Sequence, residues 1–226
     1  MSIKQWFIVK VLIFSLILGC VIAPPVMAQD TPNRIVFSWN RDGDFDLFVM
    51  DVDTQQVVSP LTDNTASDLT PVWSPDGTSI ALASNVTNTY EIYVLNISTG
   101  TSNVLTNNNW DDLYPAWSPD GKKIAFTSNR DSNWDIYVMD ANGKNLKRLT
   151  KDPVYEGSPV WSPDGEHIAY VEGLDAKRDI KVMDADGSNP QVLTTLATSA
   201  DYSPAWSPLG NQIAFVSTRS GNPDVF

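Results

Sequence analysis

A seven-residue phrase written four times, a constant step between its copies and alternating apolar segments within each step predict an all-β chain, a β-propeller of four-stranded antiparallel blades. The phrase reads PVWSPDG from Pro71, PAWSPDG from Pro115, PVWSPDG from Pro159 and PAWSPLG from Pro204. Its tryptophans, Trp73, Trp117, Trp161 and Trp206, stand 44, 44 and 45 residues apart. A period of about 40–50 residues marks repeated four-stranded units arranged round an axis, none of which buries its faces alone.

Each unit supplies its strands in a fixed order. The first is Pro-x-Trp-Ser. The second opens at Ile35, Ile80, Ile124, Ile168 and Ile213 with IVFSW, IALAS, IAFTS, IAYVE and IAFVS. The third opens at Asp46, Glu91, Asp135, Asp179 and Asp224, and the fourth closes on Leu-Thr at Leu61, Leu105, Leu149 and Leu193. All four segments are rich in β-branched and aromatic residues with small or polar residues between, as half-buried strands require. Ser-Pro-Asp-Gly joins strands one and two: proline fixes φ, aspartate bonds its own backbone and glycine takes the positive φ of a tight turn. Residues 140–143 and 184–187 (DANG and DADG) turn strand three into strand four in the same way. The Trp column reads as a wedge packing blade on blade, since a ligand site would not recur in every unit. Leu209 replaces the turn aspartate in the last copy, and Pro208 and Gly210 are expected to hold that bend at some cost in stability.

The run P-x-W-S-P-D-G-x-x-I-A-F-x-S, followed by D-I-Y-V-M-D and L-T, resembles the TolB-like propeller repeat, which also occurs in propeller domains of prolyl-oligopeptidase-type serine peptidases. The resemblance covers Arg34 to Phe226. It implies a ring of six or more blades, whereas residues 34–226 hold about four to five. The first unit lacks a strand one and the last stops in its third strand. The expectation is therefore an incomplete ring from a longer protein truncated at its C-terminus.

Residues 1–28 read as a signal peptide: Lys4 and Lys10, an apolar run, Pro24-Pro25 and a Val26-Met27-Ala28 cleavage site. In the alternative, Ile17-Leu18-Gly19-Cys20 is a lipoprotein signal with Cys20, the single cysteine, lipidated. Residues 29–33 form a short leader. The chain carries a net charge of −12, and removal of the two leader lysines makes it more acidic. That balance argues against nucleic acid, and leaves the membrane as partner only through a lipid anchor or an uncleaved signal.

Function is sought in the loops that join strand two to three and strand four to the next strand one, which share a face. Asp68, Asp112, Glu156 and Asp201 recur three residues before each strand-one proline. They read either as a ring of channel-mouth carboxylates able to hold a cation, or as acids that fix the repeat by bonding its backbone and hydroxyls. Trp39, Trp110, Tyr114, Trp134 and Tyr155 are blade-specific aromatics that the fold does not demand. With Asp111, Asp112 and Glu156 they form the candidate rim for a protein, peptide or glycan partner. Asp42, Asp44 and Asp46 alternate as calcium ligands do, without the closing glutamate. Lys177, Arg178 and Lys181 make a basic spot on an acidic chain.

Nothing points to catalysis or a cofactor. His167 is the single histidine and aligns with Ser79, Lys123 and Gln212, and G-x-S-x-G, His-x-x-x-His and Cys-x-x-Cys are absent. The reading is a non-catalytic exported propeller, periplasmic or extracellular, that serves as a protein-interaction or ligand-binding scaffold in a bacterial envelope. The alternative is the N-terminal propeller of a secreted serine peptidase whose α/β-hydrolase domain follows Phe226. The sequence leaves the oligomeric state open.

Overall fold

The computed structural model describes residues 33–57, 60–175, 177–195 and 199–226, so the signal-peptide and Cys20 readings lie outside the described residues. Five antiparallel sheets follow one another along the chain. The first holds β1 (Arg34–Asn40), β2 (Phe45–Asp51) and β3 (Gln56–Val57). The second holds β4 (Asp68–Trp73), β5 (Ser79–Ser84), β6 (Glu91–Asn96) and β7 (Ser102–Val104). The third holds β8 (Asp112–Trp117), β9 (Lys123–Ser128), β10 (Asp135–Asp140) and β11 (Lys147–Arg148). The fourth holds β12 (Glu156–Trp161), β13 (His167–Glu172), β14 (Asp179–Asp184) and β15 (Gln191–Val192). The fifth holds β16 (Asp201–Trp206), β17 (Ile213–Ser217) and β18 (Asp224–Val225). These are five propeller blades, the outer two three-stranded.

Each complete blade runs in chain order from its first to its fourth strand. The first strands of successive blades touch, β4 with β8, β8 with β12 and β12 with β16, which places them innermost. Contacts join only sequential blades; among the described residues no strand of the first blade meets one of the fifth.

The repeated turn has the geometry its residues dictate. In the second blade the Ser74 hydroxyl donates to Asp76 at 2.6 Å, Thr78 N–H donates to the same carboxylate at 3.0 Å and Gly77 takes φ +69°. Strand four is shorter than its sequence pattern, because leucine and threonine share the job of pairing with strand three. Leu105 N–H donates to the Ile92 carbonyl at 2.8 Å, and the Thr106 hydroxyl then accepts from Ile92 N–H at 2.8 Å. Thr62, Thr150 and Thr194 repeat the second bond at 2.9 Å.

The core lies between blades. Ala83 and Ile92 of the second blade pack with Ile124, Phe126 and Met139 of the third, and Trp117 covers them. Ile136 and Leu149 pack in turn with Ile168, Tyr170 and Met183 of the fourth, covered by Trp161. The wedge also makes polar contacts across blades: Trp161 Nε1–H donates to the Ala116 carbonyl at 3.1 Å and Trp206 Nε1–H to that of Val160 at 3.2 Å.

Candidate functional site

The inner ends of β8, β12 and β16 are each tied to the preceding blade by one backbone bond. Asp112 N–H donates to the Tyr90 carbonyl at 2.7 Å, Glu156 to that of Trp134 at 2.8 Å and Asp201 to that of Arg178 at 2.8 Å. The two loop sets therefore meet on one face, and the predicted residues gather there.

The recurring carboxylates are enclosed rather than open to solvent: Asp68 is 2 % exposed, Asp112 and Asp201 0 % and Glu156 1 %. Asp112 accepts from Asn108 Nδ2 at 2.8 Å and from the Arg130 guanidinium at 2.7 and 2.8 Å. Asp201 accepts from the Ser217 hydroxyl at 2.5 Å and from Arg219 at 3.1 Å. Asp68 accepts from Asn64 at 3.2 Å. Such charge-assisted bonds offset the cost of burying a carboxylate and lock blade geometry. The sequence reading missed Arg130 and Arg219, whose equivalent place, two residues past the second strand, was the available signal.

The fourth blade departs from this arrangement. Glu156 Oε2 is buried with no partner, and the opposing strand-two residue is Glu172 instead of serine. Burial pushes the Glu156 carboxyl up to about 7, against a hydrogen bond from Thr150 and helped by Asp152, Glu172 and Asp135. Asp135 is also raised by burial, against the pull of Arg148.

The blade-specific aromatics divide into three places. Trp134 and Tyr155 pair at 6.4 Å between ring centres, and Tyr155 is held above its usual range first by burial and next by the nearby Tyr114. The Tyr155 hydroxyl lies against Gly157, where a Cβ would overlap it. Leu69 and Leu113 occupy that position in the second and third blades, so the glycine opens the room this ring fills. Tyr114 is 41 % exposed, while Trp134 and Tyr155 are half-buried. Trp110 is 46 % exposed, its backbone N–H donating to Asn108 Oδ1 at 2.8 Å. Trp39 packs edge-on against Phe48 at 5.2 Å beneath Arg41, on the first blade. Asp111 accepts from Tyr90 N–H at 3.0 Å and so joins its loop to the neighbouring blade.

Asp42, Asp44 and Asp46 bring oxygens within 4.8 Å of one another. Asp46 accepts from the Thr62 hydroxyl at 3.2 Å, and burial raises its carboxyl. Of the basic spot, Lys181 pairs with Glu172, and the Arg178 guanidinium lies 5.7 Å over the Tyr202 ring. His167 sits half-exposed 3.8 Å from Asp184. It borders a cleft of about 780 Å³ between the fourth and fifth blades, lined by Ile180, Met183, Trp206 and Phe215, which no sequence feature announced.

A family model described as the TolB beta propeller domain matches residues 34–189 and 153–226. A curated relative named Protein TolB homolog, from Chlorobaculum tepidum, is 42% identical over 67 residues, which is 30% of this chain and 15% of that protein. The crystal structure of TolB from Acinetobacter baumannii superposes with a TM-score of 0.75 at 28% identity, covering 85% of this chain and 49% of that one. The chain thus spans about half the length of that relative. An oligogalacturonate lyase in complex with manganese superposes with a TM-score of 0.65 at 21% identity, over 85% of this chain and 58% of that chain, a likeness of fold alone.

Proposed function

The chain belongs to the TolB β-propeller domain family, and from that premise we propose that it is a non-catalytic, exported platform that binds a protein or peptide partner in the cell envelope. The observation that supports the reading is the Tyr114–Trp134–Tyr155 patch on the loop face. Repeated residues of this fold are engaged in holding blades together. These three rings are confined to one junction, and Gly157 makes space for one of them where the second and third blades carry a half-buried leucine. Aromatic anchors framed by enclosed polar groups are the usual centre of a protein-binding surface. Their amphipathic edges suit a peptide that offers both apolar side chains and backbone groups. The net charge of −12 favours a partner segment carrying basic residues through faster encounter.

The test starts from a partner captured by the full-length protein in envelope extracts and identified by mass spectrometry. Purified partner is then titrated against wild type, Tyr114→Ala and Trp134→Ala. Each substitution should weaken binding about tenfold or more, the mark of a side chain worth over ~1.4 kcal/mol. Melting should be unchanged for Tyr114→Ala. Equal affinity across the three proteins would overturn the patch as the docking surface. Export is tested by fractionation: a cytoplasmic location of the native protein would overturn that part.

A further inference from the structure

We propose that the junction of the third and fourth blades binds a hard divalent cation, calcium or magnesium, through the carboxylates of Asp152, Glu156 and Glu172. The reasoning rests on how this junction differs from the one before it. There, Asn108 Nδ2 bridges two acids, donating to Glu91 Oε2 at 3.1 Å and to Asp112 Oδ2 at 2.8 Å. Arg130 forks onto Asp112, and Ser128 faces that acid across the sheet. One repeat later every one of these donors is gone. Asp152 stands for Asn108, Leu174 for Arg130 and Glu172 for Ser128.

The atoms that lose their donors are the ones left orphaned. Asp135 Oδ1, the counterpart of the Glu91 oxygen, and Glu156 Oε2, the counterpart of the Asp112 oxygen, are both buried without a hydrogen-bond partner. Asp135 is 0 % and Glu156 1 % exposed. The blade supplies partial compensation, since Arg148 reaches Asp135 at 2.7 Å and Lys181 pairs with Glu172. Four carboxylates still face two cations, and a buried carboxylate without a partner is strongly unfavourable.

One oxygen each from Asp152, Glu156 and Glu172 lies within 4.8 Å of the others. That is the span across a single ion with oxygen ligands at about 2.3–2.6 Å. A cation there neutralises the excess charge and gives the orphaned Glu156 oxygen a partner. A proton on Glu156 would leave Asp152 and Glu172 repelling each other. Asp152 is exposed, so the ion has a route in and room for the water ligands that would complete its shell. The acidic loop at Asp42, Asp44 and Asp46 also leaves one oxygen, Asp44 Oδ2, without a partner, but on a side chain that is only half-buried, and its enclosed Asp46 is already bonded to Thr62.

The experiment uses the full chain stripped with EDTA and then given calcium chloride or magnesium chloride at about 1 mM. An ion that binds only the folded state should raise the melting midpoint by about 5 °C. Terbium(III) as a calcium surrogate should luminesce through the neighbouring Trp134 and Tyr155 on excitation of the protein. Both responses should vanish in Asp152→Asn and in Glu156→Gln, and persist in Asp42→Asn. Asp152→Asn restores the bridging donor and should itself raise the midpoint of the EDTA-treated protein. No shift with either ion together with no terbium emission would overturn the proposal. So would a response that survives both Asp152→Asn and Glu156→Gln.

Discussion

Thr70 is held at φ +49° in the bulge between Leu69 and Val72, immediately before Pro71, and its hydroxyl is buried without a partner. Tyr114, Ser158 and Ser203 repeat the conformation at +53°, +54° and +54°. A left-handed backbone is costly for a β-branched residue and mild for asparagine, so Thr70→Asn should stabilise the protein by about 1 kcal/mol. A higher urea midpoint at unchanged slope checks it; an equal or lower midpoint would mean that the methyl packing outweighs the strain. This feature was hidden in the sequence because a residue before proline ordinarily avoids the helical regions and stays extended. The WSPDG turn, by contrast, was legible in its bend and its glycine, though not in the serine hydroxyl that its aspartate also accepts. Gly210 keeps φ +72° beside the deviant Leu209, and Asn211 Oδ1 takes the Ser207 hydroxyl at 3.0 Å in place of the missing aspartate. Leu209 is 85 % exposed, so Leu209→Asp should add roughly 0.5–1 kcal/mol by restoring the turn's own acceptor, read from the same urea unfolding.

Strands and turns were readable because their chemistry is local, and their exact ends were not, because side chains finish what the backbone begins. The Leu-Thr pair belongs to strand four in sequence, yet the threonine hydroxyl stands in for the ladder partner. The turns carry a pH signature. The Ser118 hydroxyl and then the Lys122 N–H hold the Asp120 carboxyl at about 2, below the ordinary 3.8. A depressed carboxyl stabilises the fold fully above the ordinary value, and the benefit is lost as pH falls through the folded value. Asp120→Ala should therefore melt below wild type at neutral pH, and the gap should close as pH approaches about 2. Glycines in the turns between strands three and four serve a second element besides their own. A Cβ on Gly143, at φ +80°, would stand 2.9 Å from the Leu105 carbonyl of the preceding blade. Gly143→Ala should cost about 2 kcal/mol through strain and separation of the blades, measurable as a lower urea midpoint.

At the scale of the molecule the 44-residue period made the blades visible, since every unit must present the same faces to its neighbours. What it could not show is how each junction satisfies its buried acid. That depends on Arg130 and Arg219, which lie 18 residues beyond Asp112 and Asp201. These are contacts between segments whose sequence varies by blade, and periodicity averages them away. The same reasoning ranks the junctions by strength. Between the second and third and the third and fourth blades, the apolar residues are closely packed and largely buried. Between the fourth and fifth, Ile213 and Phe215 stay partly exposed and the 780 Å³ cleft replaces packed side chains. In a chain of units stabilised by nearest neighbours, opening begins at the weakest junction. Hydrogen exchange followed by mass spectrometry should accordingly show the β16–β17 amides exchanging at least tenfold faster than those of β9 and β10 under native conditions. Phe215→Ala should widen the difference while leaving β9 and β10 unchanged. Uniform protection across all five blades would instead mean that they open as one cooperative unit, with the cleft a static gap.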